Sequence, residues 1–144
     1  MNTRCSRYHV RLATALVAVS LGCGSNPTAP ATAGPIVASL VTPHTDDGAL
    51  LVTVTGPGMS TVQAAGSGSV VFWRLVSPTE VRVLVVGNLG AGPLFSVDVP
   101  DARKASEYAS AVLEVASRAD AILPTTAGYA VTFSGAAAAV VAAR

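Results

Sequence analysis

Five short apolar runs, separated by glycine and proline, are the feature that most constrains the fold of this chain. In four of them every second residue is apolar, as in a strand that buries one face and exposes the other. The run at residues 69–78 is instead continuously β-branched and aromatic, and it ends at Pro78. The other four runs are residues 49–58, 80–87, 94–101 and 128–135. Short strands at this spacing predict an all-β protein, a two-layer antiparallel β-sandwich whose sheets bury one face against each other.

The alternation also predicts which side chains face the core. The inward sets are Leu50, Val52 and Val54; Val81, Val83 and Val85; Phe95, Val97 and Val99; and Tyr129, Val131 and Phe133. We therefore expect one valine from each set, Val52, Val83, Val97 and Val131, to be nearly buried. About 110 residues follow the proline-rich segment, which is enough for one modest domain with its own core.

Residues 101–123 allow two interpretations. Their Ala, Glu, Lys and Arg content, with Asp101 as a cap, favours a helix near 102–122. With period two, the same stretch places Ala109, Ala111, Leu113 and Val115 on one side. Because the rest of the chain predicts sheets, we favour a strand near 107–116 over the helix.

The predicted order of strands resembles the cohesin-like and related immunoglobulin-like sandwiches of exported bacterial proteins. The segments that carry the resemblance are residues 46–56, 62–76, 80–101 and 108–116, by hydrophobicity and turns rather than by signature residues. Members of that group bind protein partners or glycans and are usually not enzymes. The resemblance therefore implies a non-catalytic binding module, without identifying any binding residue.

The first 22 residues have the three parts of an export signal: a basic start, an apolar run and small residues at the end. A helix that spans a bilayer needs about 20 apolar residues, and this apolar run is shorter, so it fits a cleaved signal better than a membrane span. Around residues 20–23 the chain resembles bacterial lipoprotein signals, in which the leader is cut before a cysteine that receives a diacylglycerol. Gly22 and Cys23 fit that pattern, whereas Ser20 stands where the family usually has leucine and Leu21 where it has a smaller residue.

Cleavage by ordinary signal peptidase, after Ser20 or after Gly22, is the alternative and would give a secreted protein. Cysteine chemistry favours lipidation. Cys5 would leave with the leader, so the mature chain would keep one thiol without a partner, in a compartment where thiols oxidise. We therefore predict that Cys23 anchors the protein to a membrane of the cell envelope, the outer membrane in a host that has one.

The predicted organisation is a signal peptide at 1–22, the lipidated cysteine with a Pro/Ala/Thr-rich linker at 23–35, a β-sandwich at 36–134 and an Ala-rich tail at 135–144. The linker composition favours an extended tether, or a terminus without a role. The tail is interpreted as a frayed helix or a loose end. After the leader, six basic residues stand against eight acidic ones, so the charge pattern excludes a nucleic-acid partner.

Two groups of polar residues are candidates for sites of chemistry. His44 could serve a hydrolase with Ser60 or Ser134 as nucleophile, but an exposed loop histidine is the favoured interpretation. Asp46 and Asp47 could bind calcium, but a hairpin turn in which the following glycine, Gly48, takes a positive φ is favoured. We therefore predict no catalytic residues, no metal site and no cofactor.

The glycine-rich segment 87–93 lacks the lysine and the following helix of a phosphate loop, so it predicts a turn between strands. Trp73 alternates with Val71 and Leu75 and is interpreted as a core residue, with a role as a ligand contact as the alternative. Together these patterns predict a binding or adhesion module for a protein or glycan. The alternatives are a structural envelope lipoprotein and a small secreted hydrolase, and an exposed Trp73 or a large apolar surface would favour binding.

Overall fold

The computed structural model describes residues 30–135, which form two antiparallel four-stranded sheets packed against each other. The strands are β1 Gly34–Val41, β2 Asp47–Thr55, β3 Val62–Ala64, β4 Ser69–Ser77, β5 Glu80–Leu89, β6 Gly92–Val99, β7 Ala109–Ser117 and β8 Ala130–Gly135. Sheet I has the order β3-β6-β1-β8 and sheet II the order β4-β5-β2-β7. The predicted all-β sandwich is confirmed. The predicted leader, Cys23, most of the linker and the tail beyond Gly135 lie outside the described residues.

The core lies between the sheets and includes most of the side chains that the alternation assigned to it, together with Ile36, Ala38 and Leu40 of β1, a strand that was not among the predicted ones. Val52, Val83 and Val97 are fully buried, and Val131 is 7% exposed. The largest fully buried side chains are Phe95, Ile36, Leu50, Val52, Val54, Val81, Val83, Val85, Val97, Val115 and Asp47. Because successive side chains of a strand point to opposite faces, one apolar residue in two is enough to line each sheet. The predicted burial of these four valines is therefore confirmed.

Most connections cross between the two sheets. In the part of the chain that the structure describes, β4 and β5 are the only consecutive strands that pair with each other, joined at Pro78 and Thr79. The link between β5 and β6 is Gly90 and Ala91, so the predicted turn in the glycine-rich segment 87–93 is confirmed. The β4–β5 hairpin leaves β4 at the edge of sheet II, and no strand among residues 30–135 pairs with its second edge.

The prediction of a hairpin at Asp46–Gly48 is wrong. Strands β1 and β2 belong to different sheets, so residues 42–46 cross between the layers. Gly48 does not take a positive φ; a Cβ there would lie 2.8 Å from the carbonyl oxygen of Ser117. Glycine is needed at this position because the backbone of β7 approaches it closely.

Residues 101–117, for which the sequence allowed a helix or a strand, form mainly a strand. A short 3₁₀ helix, Ala102–Glu107, is followed directly by β7, so the strand near 107–116 is confirmed and the long helix near 102–122 is wrong. Pairing with β2 and burial of Val115 outweigh the helix propensity of the stretch. A register shift against β2 breaks the predicted alternation, because Leu113, predicted to share a side with the buried Val115, is 45% exposed, whereas Val112 packs on the core.

Asp101 caps the 3₁₀ helix and joins it to the start of the domain. Its carboxylate accepts hydrogen bonds from Nε of Arg103 at 2.9 Å, Nη2 of Arg103 at 2.7 Å and the backbone N–H of Thr32 at 3.3 Å. The Arg103 guanidinium holds the pKa of Asp101 well below its ordinary value of 3.8. The ionised carboxylate therefore contributes stability above the unfolded-state pKa, and this contribution is lost as the pH falls from about 4 towards the folded-state pKa.

We expect the free energy of unfolding of Asp101→Asn to fall less between neutral and acidic pH than that of the wild type. The variant has no carboxylate at this position, so acid cannot protonate it and break its ion pair with Arg103. Urea midpoints at about pH 7 and about pH 2.5 should differ less in the variant than in the wild type. Asp120→Asn is the control, since among residues 30–135 the Asp120 side chain has no ion pair or hydrogen bond. An equal acid-induced loss in the wild type and Asp101→Asn would contradict the prediction.

Candidate functional site

The outward-facing side of sheet II carries a continuous apolar surface. Phe72 of β4 lies opposite Leu84 of β5, which lies opposite Leu51 of β2. In the next row, Val70 lies opposite Val86. Phe72 and Val70 are 58% and 57% exposed, although neither is polar. We call this surface the outer face; it consists of Val70, Phe72, Arg74, Arg82, Leu84, Val86, Ala49, Leu51 and Thr53.

A shallow depression lies within the outer face. It has a volume of about 340 Å³ and is lined by Leu51, Phe72, Trp73, Arg74, Arg82 and Leu84. Its position follows from the register of three neighbouring strands, which places the side chains of Leu51, Phe72, Leu84 and the two arginines on one face; Trp73 adjoins the depression although its strand position faces sheet I. An open apolar depression of this size can receive one or two side chains from a partner.

Two arginines adjoin the apolar residues of the depression. Arg74 and Arg82 lie directly opposite each other on β4 and β5, which is an unfavourable arrangement for two like charges. Nη2 of Arg82 is 3.7 Å from Oε1 of Glu80, whereas Nε of Arg82 is buried and has no hydrogen-bond partner within the described residues. Arg74 forms no ion pair or hydrogen bond among residues 30–135. Within the described residues, the guanidinium of Arg74 is therefore available to pair with a carboxylate.

Trp73 is not a core residue, so the favoured sequence interpretation is wrong. It lies opposite the buried Val83, on the side of sheet II that faces sheet I, yet Trp73 is 40% exposed and its neighbour Leu75 is 52% exposed. The strand of sheet I that contacts β4 is β3, which has only three residues. Sheet I is thus too short at this edge to cover the inward side of β4. Whether Trp73 contacts a ligand stays a prediction.

Sequence reasoning missed the other residues of the outer face. A signal was present, because a strand with one buried face needs apolar side chains at every second position only. Apolar residues occupy both phases of 70–73 and of 83–86. Two adjacent strands with this composition indicate a sheet with apolar side chains on both faces.

The carboxylate of Asp47 has a structural role in this fold. It is fully buried and accepts hydrogen bonds from Oγ1 of Thr42 and from the hydroxyl of Tyr129, each at 2.6 Å. Burial and the hydrogen bond to Asp47 raise the pKa of Tyr129 to about 12. The three side chains join the start of β2 to the segment before β8.

No group of three His, Cys, Asp or Glu residues that could hold a metal ion occurs among the described residues.

The structure does not bring the residues of the hydrolase alternative together. His44 is exposed and its ring packs near Tyr129, with 6.0 Å between the ring centroids. The hydroxyl of Ser60 donates to the carbonyl oxygen of Asp98 at 3.3 Å. Ser134 lies on β8 opposite Val37. Within residues 30–135, no hydrogen bond joins His44 to either serine.

Comparisons with known proteins identify no relative. The chain matches no protein-family model, and neither a curated protein nor a solved structure is significantly similar to it. Residues 30–135 contain no helix long and apolar enough to span a bilayer. The fold and the outer face therefore define the protein only as a β-sandwich domain with an exposed apolar sheet face, and the cohesin-like resemblance stays a prediction.

Proposed function

We propose that this chain is an exported, lipid-anchored protein whose sandwich is a non-catalytic binding module for a protein partner, bound at the outer face of sheet II. The observation that carries the proposal is the exposure of apolar side chains on that face, where Phe72, Val70 and Leu84 adjoin one another. Soluble domains rarely keep a large contiguous apolar surface in water unless it binds something. A partner that covered these side chains would gain about 25 cal/mol for each Å² of apolar area removed from water.

The composition of the outer face favours a protein over a glycan. Sugar sites combine exposed aromatic rings with several polar groups that hydrogen-bond hydroxyls, whereas this face has one aromatic side chain, Phe72, among aliphatic ones. Arg82 is paired with Glu80 at 3.7 Å and Glu114 of β7 lies opposite Leu51, whereas Arg74 has no ion pair among residues 30–135 and leaves positive charge at the β4 side of the face. The partner that fits is a protein surface presenting a carboxylate between apolar side chains, because it can pair with the guanidinium groups while filling the depression.

A photo-crosslinking experiment in the native host tests this proposal. A photoreactive residue placed at Phe72 or at Leu84 should crosslink to the same discrete protein, while one placed at the exposed Ile122 should not. Replacing both arginines, Arg74→Glu and Arg82→Glu, should lower the yield at least about tenfold, because the acidic partner group would then be repelled. Arg118→Glu, a single charge reversal outside the lining of the depression, is the control and should keep the yield.

Three outcomes would overturn the proposal. Equal crosslinking from all three positions would mean that the outer face is not selective. Binding of oligosaccharides, with no protein crosslinked, would identify a glycan as the ligand. No crosslink to any other protein, from an abundant and folded chain, would leave the structural envelope lipoprotein as the better account.

A further inference from the structure

We propose that two copies of this chain associate through β4. The β4 strands of the two copies pair antiparallel, with the two Trp73 residues opposite each other, and join both copies of sheet II into one eight-stranded sheet. This inference goes beyond the proposed function and has its own test; Phe72 and Arg74 also belong to the outer face, but the inference is argued from the unpaired edge of β4. It uses four observations: the free edge, the exposed side chains, the self-complementary order of residues and the position of the one charged residue.

The outer edge of β4 is the long open edge of the described domain. Strand β4 has nine residues, and no segment among residues 30–135 hydrogen-bonds to its second edge. The corresponding edge of β7 is covered over its last residues, since Ser117 N–H donates to Ala121 O at 2.9 Å and Leu123 N–H donates to Val115 O at 2.8 Å. Among residues 30–135, β4 therefore has the longest open edge. At the same end of sheet I, β3 has only three residues. An unpaired edge with a row of free N–H and C=O groups is a template for another strand.

The side chains of β4 do little to prevent such pairing. Natural edge strands are commonly short or carry proline and lysine, and β4 has neither residue and is long. Its charged residue is Arg74, and its irregularity is a register shift between Leu75 and Ser77 near the end of the strand. Phe72, Trp73 and Leu75 are each at least 40% exposed. The strand therefore has apolar surface on both sides that a second copy would cover.

The order of residues in β4 is nearly the same in both directions. With Trp73 at its centre, the strand reads Ser-Val-Val-Phe-Trp-Arg-Leu-Val-Ser. Antiparallel pairing of two copies about Trp73 places Ser69 opposite Ser77, Val70 opposite Val76, Val71 opposite Leu75 and Phe72 opposite Arg74. A twofold interface requires this kind of self-complementarity, because each residue pair must occur twice.

Arg74 selects this register over its neighbours. In the proposed pairing, Arg74 lies opposite the partner's Phe72, so that each guanidinium contacts an aromatic ring, a favourable cation–π arrangement. A slip of two residues in one direction would place the two copies of Arg74 directly opposite each other, which is unfavourable. The opposite slip would place Arg74 opposite the partner's Val70, which loses both cation–π contacts and shortens the paired segment from nine residues to seven.

The pairing closes at two copies, because each copy has one β4 edge and that edge is used once. An interface built on one strand pair is smaller than the about 1,600 Å² of a standard complex, so we expect association at micromolar rather than nanomolar concentration. Sedimentation velocity between about 1 and 200 µM covers this range.

Cysteine crosslinking of the full chain tests the register. In a background in which the native cysteines are replaced (Cys5→Ser and Cys23→Ser), chains carrying Ser69→Cys are mixed in mild detergent with differently tagged chains carrying Ser77→Cys. A short thiol crosslinker should join the mixed pair at least about fivefold more than either chain with itself. Two copies of position 69 would lie about 26 Å apart in the proposed register, beyond its reach.

Substitution on β4 tests whether the strand holds the copies together. Phe72→Lys places a lysine opposite the partner's Arg74 and should raise the dissociation constant at least about tenfold. Leu113→Lys on β7, at an exposed position of the opposite edge strand, is the control and should leave it unchanged. Circular dichroism of both variants shows whether they remain folded.

A wild-type chain that stays monomeric at about 200 µM would overturn the proposal. Equal crosslinking of like and unlike positions would do so too. Protection of β4 amides from exchange in a monomeric chain would instead show that another segment, such as residues 136–144, covers the edge. None of these results affects the proposed function, whose test is a crosslink from the outer face to a different protein.

Discussion

Val83→Asp is expected to unfold the sandwich. Val83 is fully buried in sheet II, between Val52 of β2 and Trp73 of β4, and its side chain points into the apolar layer between the sheets. An unpaired carboxylate there costs more than about 4 kcal/mol, out of a total stability of about 5–15 kcal/mol for a domain of ordinary stability. Far-UV circular dichroism should show loss of the β signal at room temperature.

Leu84→Asp is the matched control for this prediction. Leu84 is the next residue of the same strand and points to the opposite face of the sheet, where it is 36% exposed. The same carboxylate can be hydrated at that position, so we expect the variant to fold with a loss within about 1.5 kcal/mol. If both variants unfold, or if neither does, the assignment of inward and outward faces on β5 is wrong.

The second large effect is expected at Cys23. If Cys23 is lipidated, the mature protein begins there, partitions with membranes and takes up labelled fatty acid in the native host. Each acyl methylene buried in the bilayer contributes about 0.8 kcal/mol, so two or three chains hold a small domain far more firmly than one. Cys23→Ser removes the thiol that accepts the diacylglycerol. We therefore expect unprocessed precursor or soluble protein, with the sandwich still folded because its core begins at Ile36.

Cys5→Ser is the control for the lipidation experiment. Because Cys5 leaves with the predicted leader, its replacement should change neither the membrane fraction nor the mass of the mature protein. Intact-mass measurement decides the outcome. An unmodified mature chain that begins at Leu21 or at Cys23 would contradict lipidation and identify a freely secreted domain.

The outer face and the β4 edge have different consequences for binding if both proposals hold. A dimer paired through β4 would place two outer faces side by side in one sheet, with Phe72 of each copy next to the join. A partner with two acidic sites could then engage both copies, and its apparent affinity would exceed that for one copy. Conversely, a variant that only weakens β4 pairing should still bind a partner with one acidic site.

The sequence alone determined the sandwich and the inward faces of four strands, β2, β5, β6 and β8. Alternation with period two maps directly onto the two faces of a strand, so Val52, Val97 and Val131 could be assigned to the core without knowing which strands pair. It also indicated a strand after Asp101, against the local helix propensity, because the neighbouring segments required a sheet.

Only the tertiary structure decided at which positions the alternation fails to predict whether a side chain is buried. The register shift between β2 and β7 exposes Leu113, and it depends on how two strands about 60 residues apart in sequence meet. The close approach of Ser117 to Gly48 has the same origin. Such positions follow from contacts between distant segments, which a period along one strand does not contain.

The candidate site depended on the same long-range relations. Trp73 has the phase of a core residue, but its burial depends on how far sheet I extends over β4, and β3 is too short to cover it. Arg74 and Arg82 become neighbours only through the register of β4 with β5. The sequence thus determined which residues share a face of each strand, whereas the extent and pairing of the sheets decided which of those residues remain in contact with water.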